Sequence, residues 1–312
     1  MIIEVLIFSA ALFILIQSAD FCTRYCSLLA QHFEISPFLI SFFIVAVISV
    51  FPEASIALIS AFDGVPEFGL GAILGSNVAD LTLVLGIVTL FSASGIHIRS
   101  KIIRRDFLFI ILFAVPILLG FDGTYSRIDG VIMLLSGILF FLTLSIEQGM
   151  FTDRLHHLRH PDVLKNLGLL FLSLIVMVGS ANFTVDFGVR IASALQIPAM
   201  LIGLTLVSVG TCLPELIFSI KAVRSNHEEL ALGDLLGTVI TDATIGLGIV
   251  AIIIPFSFDP LILYITGGAM CLAGIVSGVI VGLGGMISKT KGLILILMYI
   301  AYLFVEILTR GV

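Results

Sequence analysis

The sequence predicts an all-α integral membrane protein whose ten transmembrane helices form two inverted five-helix repeats. Three observations carry this: the composition, a series of long apolar runs, and a self-similarity at fixed offset. Of 312 residues, 59% are hydrophobic and 12% charged, where a soluble domain has roughly 45–50% and 25%. Mean hydropathy is +1.24. A chain this poor in charge cannot cover a water-facing surface, so most of it must face lipid or itself. The net charge of −6 argues against nucleic acid, whose phosphates select basic surfaces.

Crossing the hydrocarbon core takes about 20 apolar residues. Ten stretches qualify, at 2–30, 38–62, 68–92, 105–121, 127–147, 164–194, 199–223, 230–255, 260–283 and 291–309. The first lacks a basic leader and a cleavage site, so it reads as a span and not a removable signal. The connections are too short to hold a soluble regulatory domain, and none is a long acidic loop. The longest, 148–163, separates a first repeat (1–147) from a second (164–312). Its Arg154, His156, His157, Arg159 and His160 read as a solvated basic linker, not a metal site. The cysteines, Cys22, Cys26, Cys212 and Cys271, form no CxxC pair and read as packing residues.

Basic residues set the orientation. With the N-terminus outside, the inner loops and helix ends take every Lys and Arg except Arg127, Arg190 and Arg310. Positive charge is retained on the cytoplasmic side. The expectation is a multi-pass cell-membrane protein with both termini outside and the linker in the cytoplasm.

A shift of 162 residues aligns the halves without a gap from Ser18 to Phe91. Ser18-Ala19-Asp20-Phe21 meets Ser180-Ala181-Asn182-Phe183, and Pro52-Glu53 meets Pro214-Glu215. Leu74-Gly75-Ser76 meets Leu236-Gly237-Thr238, and Asp80 meets Asp242. Leucines match by chance; Pro-Glu and Asp at one offset do not. Each half has an odd number of helices, so the second enters from the opposite side. This is the inverted-repeat plan of secondary transporters, whose sites lie near the midplane between repeats.

Four acids fall inside predicted spans at paired positions: Glu53, Asp80, Glu215 and Asp242. At about 2.5–3.5 kcal/mol each, four ionised acids cost about 10–14 kcal/mol before compensation. No basic residue lies at matching depth, so cations or protons must neutralise them. Ser49, Ser76, Thr211 and Thr238 each precede an acid by four residues, which places hydroxyl and carboxylate on one helix face. The matched set is all oxygen. That suits a hard cation such as Ca²⁺, which takes about 6–8 oxygen ligands in flexible geometry; soft metals would select Cys or His. Pro52 and Pro214 lack an N–H and free the carbonyls of Ile48 and Gly210 beside the two glutamates.

At these residues the chain resembles the calcium/cation antiporter superfamily, most closely its short prokaryotic sodium/calcium exchanger-like members. Val209-Gly210-Thr211-Cys212-Leu213-Pro214-Glu215 is similar to the family's G-T-S-L-P-E. Gly237-Thr238-Val239-Ile240-Thr241-Asp242 and Gly75-Ser76-Asn77-Val78-Ala79-Asp80 are similar to its G-S-N-x-x-D/N. The resemblance implies a transporter, not an enzyme, that exchanges Ca²⁺ against Na⁺ by alternating access, with no cofactor beyond the transported ions. Glu53 and Glu215 would be central Ca²⁺ ligands, with Asp80 and Asp242 completing the site. Main-chain oxygens near Ala46 and Ser208, and the side chains of Ser49, Ser76, Thr211 and Thr238, would help bind the counter-ion. Spans one and six would slide as gates. Val50, Cys212 and Val239 stand where the family pattern offers oxygen. All four acidic positions are occupied, which raises H⁺ as the alternative counter-ion, although the G-N-A-x-E pattern of proton/calcium exchangers is absent.

Two other classes compete. An intramembrane aspartyl hydrolase wants G-x-G-D, and Ala231-Leu232-Gly233-Asp234 lacks the first glycine; H-E-x-x-H is absent. A cation channel would conduct without an obligatory counter-ion. No protein partner is legible in the sequence.

Overall fold

The computed structural model describes residues 2–32, 50–92, 95–97, 111–147, 163–225, 228–284 and 286–310. Every predicted span has a helical counterpart among them, and seven of these helices are long and apolar enough by themselves to cross a bilayer. The long helices α1 (Ile2–His32) and α6 (Val163–Leu195) pack along each other. α2 is Phe51–Phe62; the earlier part of its span lies outside the described residues. α3 runs Pro66–Ala79, passes through a π-helical turn at Asp80–Val84, and resumes over Leu85–Phe91. α4 (Ile111–Leu119) and α5 (Arg127–Glu147) complete the first half.

In the second half, α7 consists of Ala199–Ile202, a π turn Gly203–Val207, Ser208–Thr211, and then Leu213–Arg224. α8 runs Glu228–Thr241, a π turn Asp242–Gly246, and Leu247–Ile253. α9 is a π turn Leu263–Gly267 followed by Gly268–Gly284, and α10 is Lys289–Thr309.

The sequence explains where these helices start. Proline stands in the first turn of α2, of α3 and of the second segment of α7, where its missing N–H costs nothing. Ser126 and Asp129 cap α5 reciprocally: the Ser126 N–H donates to Asp129 Oδ2 at 2.8 Å, and the Asp129 N–H donates to Ser126 Oγ at 3.3 Å. The repeat-mate of Ser126 is Ser288, which caps α10 by accepting from the Lys291 N–H. α2 ends at Asp63, and Gly64 takes the left-handed φ of 76° that the turn requires.

Structural symmetry extends beyond the aligned segment. A Cβ on Gly86 (α3) would stand 2.7 Å from the Gly292 carbonyl oxygen (α10). The repeat-mates of this pair also meet: a Cβ on Gly130 (α5) would stand 2.7 Å from the Gly248 carbonyl oxygen (α8). Thus α3 crosses α10 as α8 crosses α5, with backbones in contact because no side chain intervenes.

Four two-residue strands add to the helical plan: β1 (Ile96–His97), β2 (Thr124–Tyr125), β3 (Phe256–Ser257) and β4 (Met286–Ile287). β1 pairs antiparallel with β4, and β2 with β3, so each ladder joins one half to the other. Tyr125 is buried and donates its hydroxyl to the Pro116 carbonyl at 2.8 Å, anchoring the α4–α5 connection.

α3 and α8 are the most enclosed spans; α1, α6 and α10 are the least. Phe8, Leu15 and Cys22 of α1 and Met177, Ala181 and Val185 of α6 bury against Ile56, Phe68 and Val207 of α2, α3 and α7. Their other faces present exposed Phe13, Leu172, Ile175 and Phe183, the surface that lipid solvates. The polar chemistry sits inside, between α2, α3, α7 and α8.

Candidate functional site

The site is built on the starts of α2 and of the second segment of α7, and on the π turns of α3 and α8. α2 and the second segment of α7 begin at repeat-related residues, Val50 and Cys212, whose backbones match closely (φ −80°, ψ −13° and φ −75°, ψ −4°). Neither residue caps its helix with a side chain. Glu53 and Glu215 then occupy the first turn, where unsatisfied N–H groups and the helix dipole favour negative charge. Asp80 and Asp242 open the π turns of α3 and α8. A π turn inserts one residue, rotates the helix beyond it, and recurs at functional sites. Thr82 and Thr244, also repeat-mates, bond back to the Val78 and Ile240 carbonyls within these turns.

All four acids are buried, at 3% exposure for Glu53, 1% for Asp80, 7% for Glu215 and 0% for Asp242. They share one electrostatic environment: Asp80 and Asp242 both feel the charge of Glu53, and Glu215 feels Glu53 and Asp80. Each retains one buried oxygen without a hydrogen-bond partner: Glu53 Oε2, Asp80 Oδ1, Glu215 Oε2 and Asp242 Oδ1. Such an atom costs about 1–3 kcal/mol, more when charged. Four such oxygens, two from each repeat, are buried in the same part of the bundle.

The hydroxyls lie among the acids. Ser76 Oγ donates to the Ile73 carbonyl at 2.9 Å and approaches Asp242 Oδ2 at 3.5 Å, bridging the repeats. Thr211 stands beside Glu53 and donates to the Ser208 carbonyl at 3.1 Å. That carbonyl also accepts from the Cys212 N–H at 3.1 Å, so both its lone pairs are engaged here. Ser208 Oγ donates to the Leu204 carbonyl. Thr238 is buried one turn before Asp242. Cys212 faces Asp80, and its thiol donates to the Ser76 carbonyl at 3.6 Å. Ser49, Ala46 and the Ile48 carbonyl lie outside the described residues. Pro214 withholds an N–H from the Gly210 carbonyl, and the nearby Cys212 N–H is engaged by the Ser208 carbonyl at 3.1 Å.

Among the described residues, no three His, Cys, Asp or Glu side chains close tightly enough to hold an ion by themselves. A complete shell needs the hydroxyl and main-chain oxygens as well. Asn77, the asparagine of the Gly75-Ser76-Asn77-Val78-Ala79-Asp80 motif, is a further polar group beside the acids. It is fully buried, both amide atoms lack partners, and it stands one turn before Asp80 on α3. Its repeat-mate is Val239. Asp234, the aspartate of the incomplete hydrolase motif, acts on Asp80 and Glu215.

A family model described as "Sodium/calcium exchanger protein" matches residues 3–146 and 165–308, one copy per repeat. Inner membrane protein YrbG of Escherichia coli is 29% identical over 276 residues, covering 84% of this chain and 83% of its own. Sodium/calcium exchanger MaX1 of Methanosarcina acetivorans is 25% identical over 97% of this chain and 98% of its own. A structure of the sodium-calcium exchanger NCX_Mj, soaked with Na⁺ and Sr²⁺, superimposes with a TM-score of 0.66 at 26% identity, covering 96% of this chain and 97% of that one. The two matched repeats coincide with the halves that carry the paired acids, and the chain belongs to the sodium/calcium exchanger protein family.

Proposed function

We propose that the protein is a secondary-active antiporter that moves Ca²⁺ out of the cytoplasm against inward Na⁺. The observation that carries this reading is the set of four repeat-paired acids, each with an unpartnered buried oxygen. An all-oxygen, multiply negative chamber suits a hard divalent cation. Glu53 and Glu215 hold Ca²⁺ at the helix starts; Asp80 and Asp242 flank it from the π turns. Ser76, Thr211 and Thr238, with Ser49 and the main-chain oxygen of Ala46, serve the counter-ion; the Ser208 carbonyl joins them only when Thr211 or Cys212 releases it. The empty chamber is costly, so ion loading biases the equilibrium between gate positions. The MaX1 and NCX_Mj relatives, both named as sodium/calcium exchangers, support this assignment. H⁺ as counter-ion is the second reading, favoured by aspartate at both 80 and 242 and by Cys212 in place of a hydroxyl. We place both termini outside, following the distribution of Lys and Arg.

The test is Ca²⁺ flux in reconstituted vesicles with the Na⁺ and H⁺ gradients varied independently. Uptake that follows an opposing Na⁺ gradient supports the reading, and uptake that follows only H⁺ selects the second. No Ca²⁺ movement under either gradient refutes both, and flux without any counter-ion identifies a channel.

A further inference from the structure

Ser219 and Asp234 have no counterpart in the first half: their repeat-mates are Ala57 and Ala72, both buried. The two polar residues lie at one level. α7 ends at Arg224 and α8 begins at Glu228, and the two helices pack together as a hairpin. Ser219 is five residues before that end and Asp234 six after that beginning, so each is about 8–9 Å from the turn at 1.5 Å per residue. Ser219 is one helical turn from Glu215 towards the hairpin tip. Asp234, Thr238 and Asp242 succeed one another at intervals of four and share a face of α8.

Both residues carry polar groups at positions where the first half has none. Ser219 is 0% exposed and its hydroxyl has no partner. Asp234 is half-buried, and no basic side chain among the described residues acts on it. Its charge acts on Asp80 and Glu215, and it lies on the α8 face that carries Thr238 and Asp242. In the matching place of the first half the hairpin is packed shut, since a Cβ on Gly69 would stand 2.3 Å from Ala57 Cα.

We propose that Asp234 and Ser219 form a staging site for a hard divalent cation, one to two helical turns from the main chamber on the cytoplasmic approach. This rests on the exchanger reading and on the inward placement of the α7–α8 hairpin. A cation waiting there is held by one carboxylate and one hydroxyl, too few ligands to trap it, and it moves towards four stronger ones. The repeat asymmetry makes the device one-sided: Ca²⁺ is collected from the dilute cytoplasmic side, and the outer approach has alanine at both matching positions, with its nearby Ser60 hydroxyl already donating to the Ala57 carbonyl.

A cation at the staging site meets Asp234 at contact distance, so the effect belongs to the face that loads through it. At about 4 Å and an effective dielectric near 20 the contact charge is worth more than a hundredfold for a divalent cation, and hydration of the half-buried carboxylate reduces this to about ten- to a hundredfold. Inside-out and right-side-out vesicles separate the two faces. Asp234→Asn should raise the Ca²⁺ concentration for half-maximal exchange ten- to a hundredfold at the cytoplasmic face and less than twofold at the outer face. Asp234→Glu should restore it, and Ser219→Ala should raise it a few-fold on the same face. Equal shifts on both faces, or none, would overturn the proposal. If Asp234→Asn does not insert, the sidedness of Ser219→Ala decides. Ca²⁺ titration of the purified protein keeps this apart from the exchanger reading. Two classes of site, the weaker lost in Asp234→Asn, support the staging site whatever vesicle flux shows; identical titrations refute it.

Discussion

Replacing Glu215 by glutamine should make the ion-free protein more stable while removing its response to calcium. Glu215 is 7% exposed, Oε2 lacks a partner, and the side chain faces the charges of Glu53 and Asp80. An ionised acid at such depth costs about 2.5–3.5 kcal/mol. The amide abolishes that cost but brings an NH₂ group needing partners, a penalty of about 1–3 kcal/mol. The balance leaves the ion-free variant ahead by about 1 kcal/mol, more once relief of repulsion is added. With Ca²⁺ the order changes. Wild type gains about 2.7 kcal/mol at a hundred times its Kd. Losing a carboxylate in contact with the ion, at about 4 Å and an effective dielectric of 20, removes about 4 kcal/mol per unit of cation charge. The variant's affinity therefore falls at least a thousandfold, and the same Ca²⁺ leaves it unmoved. Thermal unfolding in detergent, with chelator and then with Ca²⁺, should show the two proteins converging or exchanging rank. A variant less stable in chelator, or still stabilised by Ca²⁺, would refute the account of Glu215 as an uncompensated ion ligand.

Gly292→Ala and Gly248→Ala should each cost about 1–3 kcal/mol by overpacking, because the new methyls would meet the Gly86 and Gly130 carbonyl oxygens at 3.0 and 2.9 Å; unchanged melting of either variant would break the symmetry argument. Glu306 is 1% exposed, accepts from Thr266, and pairs with Arg310 Nε at 3.0 Å. Arg310→Ala should therefore cost about 3–5 kcal/mol by stranding a buried carboxylate, and Glu306→Leu in the same chain should recover most of that in denaturation experiments. A single cysteine placed in the 148–162 linker of a cysteine-free background should react with a membrane-impermeant reagent only from the cytoplasmic side; reaction from outside would invert the topology.

The spans were legible because lipid imposes a simple rule: α10, expected at 291–309, is Lys289–Thr309, and α6, expected at 164–194, is Val163–Leu195. The paired acids were legible because charge in an apolar helix is rare. The π turns were not, since Asp80-Leu81-Thr82 and Asp242-Ala243-Thr244 have no local pattern that distinguishes them from α-helix. Their extra residue is stabilised by tertiary surroundings. The two-residue strands were equally silent, being too short for alternation to register. Asn77 was legible within the Gly75-Ser76-Asn77 motif, but its mate Val239 is apolar, so the pairing of the halves did not single it out; Ser219, whose mate is Ala57, was missed for the same reason.

The ladders also bear on how the chain is made. β1, finished early in synthesis, finds its only described strand partner in β4, near the far end of the chain, and β2 must wait for β3. The Gly86–Gly292 crossing and the Ser76–Asp242 contact wait as well. A ribosome-bound first half therefore holds an unsealed polar chamber and two open strand edges until the second half is inserted. Such long-range closure is slow. Expressed alone, residues 1–147 should be a client of membrane quality control, whereas the two halves supplied together should rescue each other.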